Sequence, residues 1–229
     1  MLYNMENGLL SVTVSTFGAE LQDIHTLGAP SVPCLWDGKA GIWPRRAPVC
    51  LPWCGRVEGG WFQEEGVRYE AGSHGFVRDL EHTLADRGAQ WLRFRLDWPG
   101  DGLRWPWAFT FETLHTLEGR RLTTTCTAVN RSPRPMPVQV GFHPGFRCPL
   151  DPARGLGDYA VRFQRPEAPD GADRLPLTPG LFDQDSLCFR DLGSAWVRLE
   201  ERDTGRYLQV DLEGAPYLLL WSQPGIPGF

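Results

Sequence analysis

Two histidines, each set in a glycine-bearing turn, are the residues of this chain best suited to chemistry. One stands in His74-Gly75-Phe76-Val77-Arg78, the other in Gly141-Phe142-His143-Pro144-Gly145-Phe146. Imidazole is the side chain whose ordinary pKa lies closest to neutrality, so it gives or takes a proton under mild conditions. Two of them, both flanked by Gly and Phe in a strand-rich chain, point to one pocket that moves protons; taken singly, each reads equally as a structural hydrogen-bonding group. Gly75 permits an unusual backbone conformation or a close approach to a ligand. Residues 47–57 hold two prolines, a glycine and an arginine, the makings of a shaped loop that presents Arg56. A guanidinium offers a rigid fork of donors suited to sugar oxygens, although Arg56 and Arg78 also read as surface or salt-bridge residues. His25, His82 and His115 lack such a setting and read as structural. His115 falls on the strand face of Phe109, Phe111 and Leu117, which predicts a packed role.

The elements that must position these turns are strands. Trp91 to Trp98 alternates cleanly, with Leu92, Phe94, Leu96 and Trp98 on one side and Arg93, Arg95 and Asp97 on the other. Ser11 to Phe17, Phe109 to Leu117, Leu122 to Asn130, Val138 to Phe142, Tyr159 to Phe163, Trp196 to Glu201, Tyr207 to Leu212 and Tyr217 to Trp221 have strand length and strand residues, punctuated by Gly, Pro, Asn and Asp. No stretch has the three-and-four apolar spacing of a helix, so helices should be few and short. The pattern predicts an all-β chain, a large antiparallel β-sandwich formed by residues 1–229 as a single domain. Residues 131–137 read as a stiff Pro-rich loop. Residues 164–180, with four prolines and two glycines, read as a long surface loop, a rim or lid over a cleft.

Composition removes several classes of function. A formal net charge of -5 leaves no basic stripe to neutralise phosphates, so no nucleic-acid partner is expected. No run of about 18 apolar residues is present, so no membrane partner is expected. The first residues lack a basic segment followed by an apolar one, which reads as cytoplasmic. The six cysteines are scattered without a Cys-x-x-Cys pair and read as reduced thiols, neither a disulfide framework nor a metal site. Cys54 lies near His74 in sequence, but thiolate chemistry needs an electropositive, partly exposed setting. No phosphate-cradling glycine loop and no Gly-x-Ser-x-Gly elbow occurs. Ten tryptophans read either as core and sheet-face packing or as platforms for the apolar face of a pyranose.

Together these pieces resemble the aldose 1-epimerase (galactose mutarotase) family, in its LacX-like branch. The matching segments are Phe17-Gly18-Ala19-Glu20-Leu21, Trp43-Pro44, Ala47-Pro48, Leu51-Pro52-Trp53-Cys54-Gly55-Arg56, His74-Gly75-Phe76-Val77-Arg78-Asp79, Val129-Asn130, Met136-Pro137, Gly141-Phe142-His143-Pro144 and Tyr217-Leu218-Leu219-Leu220-Trp221. They occur in family order and cover nearly the whole chain. The resemblance implies a galactose mutarotase-like supersandwich, a hexose as small-molecule partner and no cofactor or metal. It implies His143 as general acid to the ring oxygen, His74 as a second histidine on the sugar, Arg56 on sugar hydroxyls, Arg78 within the motif, and Asp185 as an orienting aspartate. The family's general base is a glutamate on a strand after the late Leu-Trp segment. No glutamate follows Glu213, so this chain is expected to lack the final strand and to bind sugar while turning it over poorly. A carbohydrate-binding or sensing protein without catalysis is one alternative. A hexose-6-phosphate mutarotase, with Arg45, Arg46, Arg56 or Arg78 clamping phosphate, is another.

Overall fold

The computed structural model describes residues 1–226. Pro227, Gly228 and Phe229, within the tail where a further strand is expected to begin, lie outside the described residues. The described chain is all-β and antiparallel, interrupted only by three single-turn 3₁₀ segments. It divides into two compact units, Met1–Gly145 and the residues from Phe146 onward. Among the described residues no helix is long and apolar enough to cross a membrane.

The first unit holds eleven strands: β1 (Leu2–Glu6), β2 (Leu10–Ser15), β3 (Leu21–Thr26), β4 (Val49–Cys50), β5 (Trp61–Glu64), β6 (Val67–Glu70), β7 (Thr83–Gly88), β8 (Trp91–Trp98), β9 (Phe109–Glu118), β10 (Arg121–Asn130) and β11 (Gly141–Phe142). They form a sheet β1-β2-β3, a sheet β10-β9-β8-β7 and the ladders β5-β6 and β11-β4. Alternation decides which faces meet. Met5, Val12 and Val14 pack with Leu92, Phe94 and Leu117 in one buried cluster. Along β9, Phe109, Phe111, His115 and Leu117 all point inward. His115 is sealed between the Ala19 carbonyl (3.0 Å) and the Thr124 hydroxyl (2.9 Å), the packed role its strand face predicts. A second cluster, of Trp53, Phe76, Trp98, Trp105, Trp107, Phe109 and Phe111 among others, lies behind the segment that carries β4. Several of the tryptophans are thus core residues.

The second unit holds β12 (Tyr159–Phe163), β13 (Arg174–Pro176), β14 (Leu187–Arg190), β15 (Trp196–Glu201), β16 (Tyr207–Asp211) and β17 (Tyr217–Leu220), arranged as β13-β12-β15-β16 and β14-β17. Tyr159, Val161 and Phe163 alternate inward on β12. The Tyr159 hydroxyl is held by the Glu201 carboxylate and accepts the N–H groups of Leu150 and Asp151, both at 3.1 Å. The segment 164–180 departs from the expected loop. It folds back as β13 against β12 and buries Ala168, Leu175 and Leu177. Its prolines hide a short strand, and Leu175 and Leu177 supply the apolar face that the proline spacing obscured.

Candidate active site

Every site residue expected from the sequence, Asp185 excepted, lies in the first unit, on three segments that the backbone ties side by side. The central one is residues 46–56. On one side β4 pairs with β11, Cys50 opposite Gly141 and Val49 opposite Phe142. The His143 N–H donates to the Pro48 carbonyl (3.0 Å) and the Gly145 N–H to that of Arg46 (2.7 Å). On the other side Leu51 bridges Gly75 in parallel. The N–H groups of Phe76 and Val77 both reach the Leu51 carbonyl, at 3.1 and 3.3 Å, and the His74 N–H reaches that of Gly55 at 2.8 Å. The central segment is therefore a spine with one histidine turn hung on each flank.

This scaffold brings the imidazoles together, their ring centroids 5.1 Å apart and their planes inclined by 30°. His74 takes a left-handed φ of 64°, which turns its ring back so that Nδ1 accepts the Gly55 N–H at 3.1 Å. An accepting Nδ1 fixes the neutral tautomer with the proton on Nε2, leaving that N–H free to donate to a ligand. His143 stands edge-on to Trp43 at 5.1 Å, and its Nδ1 is buried with no hydrogen-bond partner among the described residues.

Both imidazoles are easier to deprotonate than usual. Burial, then the neighbouring His74 and Arg78, push His143 down to about 4. Burial and the Arg78 charge lower His74. Three potential cations close together repel one another, and loss of water removes the solvation that would favour charge. Arg78 itself donates to the Ser73 carbonyl at 2.9 Å. Its Nε lies 3.7 Å from Asp79, too far for a hydrogen bond, and is buried without a partner. Arg56 follows Gly55, the residue that holds His74; it is exposed and makes no ion pair among the described residues. Asp185 belongs to the second unit. It is exposed, with φ at 129°, and its carboxylate accepts the Ser186 N–H at 2.7 Å.

A buried acid that the sequence reading passed over organises the rear of this site. Glu20 is only 3% exposed. One of its oxygens accepts the N–H groups of Arg46 and Ala47 at 2.7 and 3.0 Å, and the other pairs with Arg45 at 2.8 Å. Arg45 continues to the Arg78 carbonyl and to Asp79, both at 2.8 Å. Glu20 thus links the spine to the His74 turn. Its only sequence signal was a charged residue inside the Phe17-Gly18-Ala19-Glu20-Leu21 turn, since its partners lie at remote positions. Arg46 is likewise occupied, by Gln22 (2.7 Å) and the Asp37 carbonyl (2.6 Å). Among the described residues no group of three or more His, Cys, Asp or Glu is placed to hold a metal ion.

Comparison with known proteins gives the family and the fold. The family model described as Aldose 1-epimerase matches residues 1–165. The chromosomal protein LacX of Lactococcus lactis subsp. lactis is 28% identical over 250 aligned positions, spanning 97% of this chain and 83% of LacX. A galactose mutarotase related enzyme from Lactobacillus acidophilus superposes with a TM-score of 0.88 at 26% identity, over 97% of this chain and 81% of its own. A galactose mutarotase-like protein from Lactobacillus casei ATCC 334 shares the fold, with a TM-score of 0.87 at 23% identity over 99% of this chain and 84% of its own.

Proposed function

Because the chain belongs to the aldose 1-epimerase family, we propose that it interconverts the α and β anomers of a hexose at the paired imidazoles. The carrying observation is the 5.1 Å approach of His74 and His143. In this reading the sugar ring oxygen takes a proton from His143 while the proton of the C1 hydroxyl passes to water. The ring opens to the aldehyde, the C1–C2 bond rotates, and the hydroxyl re-adds to the other face. His74 donates from Nε2 to the sugar and steadies the developing charge. Arg56 and Arg78 hold hydroxyls. Both chemical steps are proton transfers between oxygen and nitrogen groups, each positioned acid or base contributing about 10²–10⁴ in rate.

The low pKa of His143 bears on its work as a general acid. With a pKa of about 4, roughly 10⁻³ of molecules carry the imidazolium at pH 7. A general acid so rarely charged supports slow turnover beside competent binding. The same observation favours the second reading, a carbohydrate-binding protein without catalysis. A phosphorylated sugar is less well supported, because Arg45 and Arg46 are already committed to Glu20, Asp79, Gln22 and Asp37.

Polarimetry on a freshly dissolved α-anomer tests the proposal. His143→Ala should slow the catalysed decay by about 10²–10⁴-fold, and Arg56→Ala should raise KM with little change in kcat. Rapid decay that survives both His74→Ala and His143→Ala removes the histidines from the mechanism. Saturable quenching of tryptophan emission without mutarotation selects the binding reading.

A further inference from the structure

Two thiols sit on the central spine of the site. Cys50, in β4, is 3% exposed, whereas Cys54 is exposed. The Cys54 sulfur and the Cys50 Cβ both lie within 4 Å of one point, the position of a Cβ built on Gly141. Gly141 explains how they meet. It pairs with Cys50 across the β4-β11 ladder, and a Cβ built on it would come within 2.5 Å of the Cys54 sulfur. The Cys54 thiol therefore occupies the space a side chain at 141 would fill, on the strand next to Cys50.

The two sulfurs are not equivalent. The neighbouring Cys50 lowers the Cys54 pKa against the effect of burial. Its neighbour Cys54, with burial, raises Cys50. The result is an accessible nucleophile with a protonated partner in contact, the arrangement in which sulfur oxidation is reversible. Burial pushes the thiols of Cys34, Cys126 and Cys148 up, to about 11, 12 and 12, which leaves them poor nucleophiles. Cys188 is exposed but on a different unit.

We infer that Cys54 and Cys50 form a redox site, oxidised by a peroxide to a disulfide beside the imidazole pair. The Cys54 thiolate attacks a peroxide oxygen; an S–O bond forms, the O–O bond breaks, and the departing hydroxide takes up the proton Cys54 lost, giving water and a sulfenic acid. The Cys50 sulfur then attacks the Cys54 sulfur. The S–S bond forms as the S–O bond breaks, and the leaving hydroxide carries the Cys50 proton away as a second water. Two thiols lose two electrons and one peroxide gains them. Closure to about 2.05 Å draws residue 54 toward β4 and pulls on Gly55, whose N–H and carbonyl both hold His74.

The experiment treats the full chain with hydrogen peroxide, alkylates with iodoacetamide and reads the tryptic peptide of residues 47–56, which carries both cysteines. The expected product is lighter by two hydrogens, resists alkylation, and regains both thiols in dithiothreitol. In Cys50→Ala the same peptide should instead gain oxygen at Cys54. The proposal is overturned when wild-type Cys54 accumulates oxygen without closing, or when both thiols stay free while Cys188 oxidises. Mass reads the thiol chemistry apart from any sugar, so it stands or falls separately from the mutarotase proposal. The coupling to the site rests on that proposal: oxidation should lower turnover about 10²-fold, reversibly, and an oxidised chain working at the reduced rate refutes the coupling.

Discussion

Replacing Gly75 by alanine should unfasten the His74 turn, and the size of the effect follows from the contacts. Gly75 has φ at +69°, and an added Cβ would lie 2.0 Å from the Leu51 carbonyl oxygen, 2.4 Å from its carbon and 2.8 Å from the Pro52 nitrogen. All three are backbone atoms of the spine, so no side chain can swing aside. The left-handed conformation costs an L-residue about 1–2 kcal/mol. Parting the strands also loosens the bonds from Phe76 and Val77 onto Leu51, each contributing about 0.5–1.5 kcal/mol. The total is roughly 2–5 kcal/mol. Gly8→Ala is the matched control. Its φ is +81°, and nothing lies within 4 Å of the built Cβ, so it should cost only the conformational part, about 1–2 kcal/mol. Urea unfolding of both variants, with unchanged m-values, gives the comparison. Equal losses in the two would mean that the close approach of Gly75 to Leu51 does not hold the turn, and the spine argument would fail with it.

Two further outcomes follow from buried charge. His115 is pushed down to about 4 by burial, below the ordinary value near 6.5 that the unfolded chain would show. The unfolded state therefore binds its proton first, so this contribution to stability is intact above pH 6.5 and is lost as pH falls toward 4, by about 3 kcal/mol. His115→Gln should flatten that part of the urea-midpoint profile relative to wild type, and an unchanged slope would show that His115 does not titrate in this way. Glu20→Ala should cost about 2–4 kcal/mol, because the Arg46 and Ala47 N–H groups lose their acceptor and Arg45 keeps only Asp79 and the Arg78 carbonyl. Glu20→Gln should cost less, since an amide oxygen still accepts the Arg46 and Ala47 N–H groups; thermal melts that rank the two alike would contradict the assigned contacts.

The long strands were legible because alternation survives burial on one face. Trp91–Trp98, Tyr159–Phe163 and Trp196–Glu201 have the boundaries their residue patterns predict. The two-residue strand β4 was not, since pairing that short depends on a remote partner and leaves no period to read; β11 is the end of the longer strand expected over Val138 to Phe142. β1 and β3 were missed for another reason: β3 is half-buried along its whole length and shows no clean alternation. At the site, the histidine turns were visible because Gly and Pro punctuate them. The Glu20–Arg45 connection was invisible, because its members are far apart in sequence and only folding reveals that the carboxylate is buried. The approach of Cys50 and Cys54 was equally hidden, because it depends on a glycine remote in sequence, Gly141, leaving room for the Cys54 sulfur.

The indoles behind the spine have a spectroscopic consequence. Trp53 donates to the Gly72 carbonyl at 2.8 Å and lies 5.8 Å from Trp105, which is itself 4.7 Å from Trp107. Rings this close exchange excitation, so light absorbed by any one of them samples all three before it is emitted. Trp53 immediately precedes Cys54 in the chain. Any change at Cys54 that quenches its neighbour would therefore dim the whole antenna, giving the spine a built-in, label-free optical gauge.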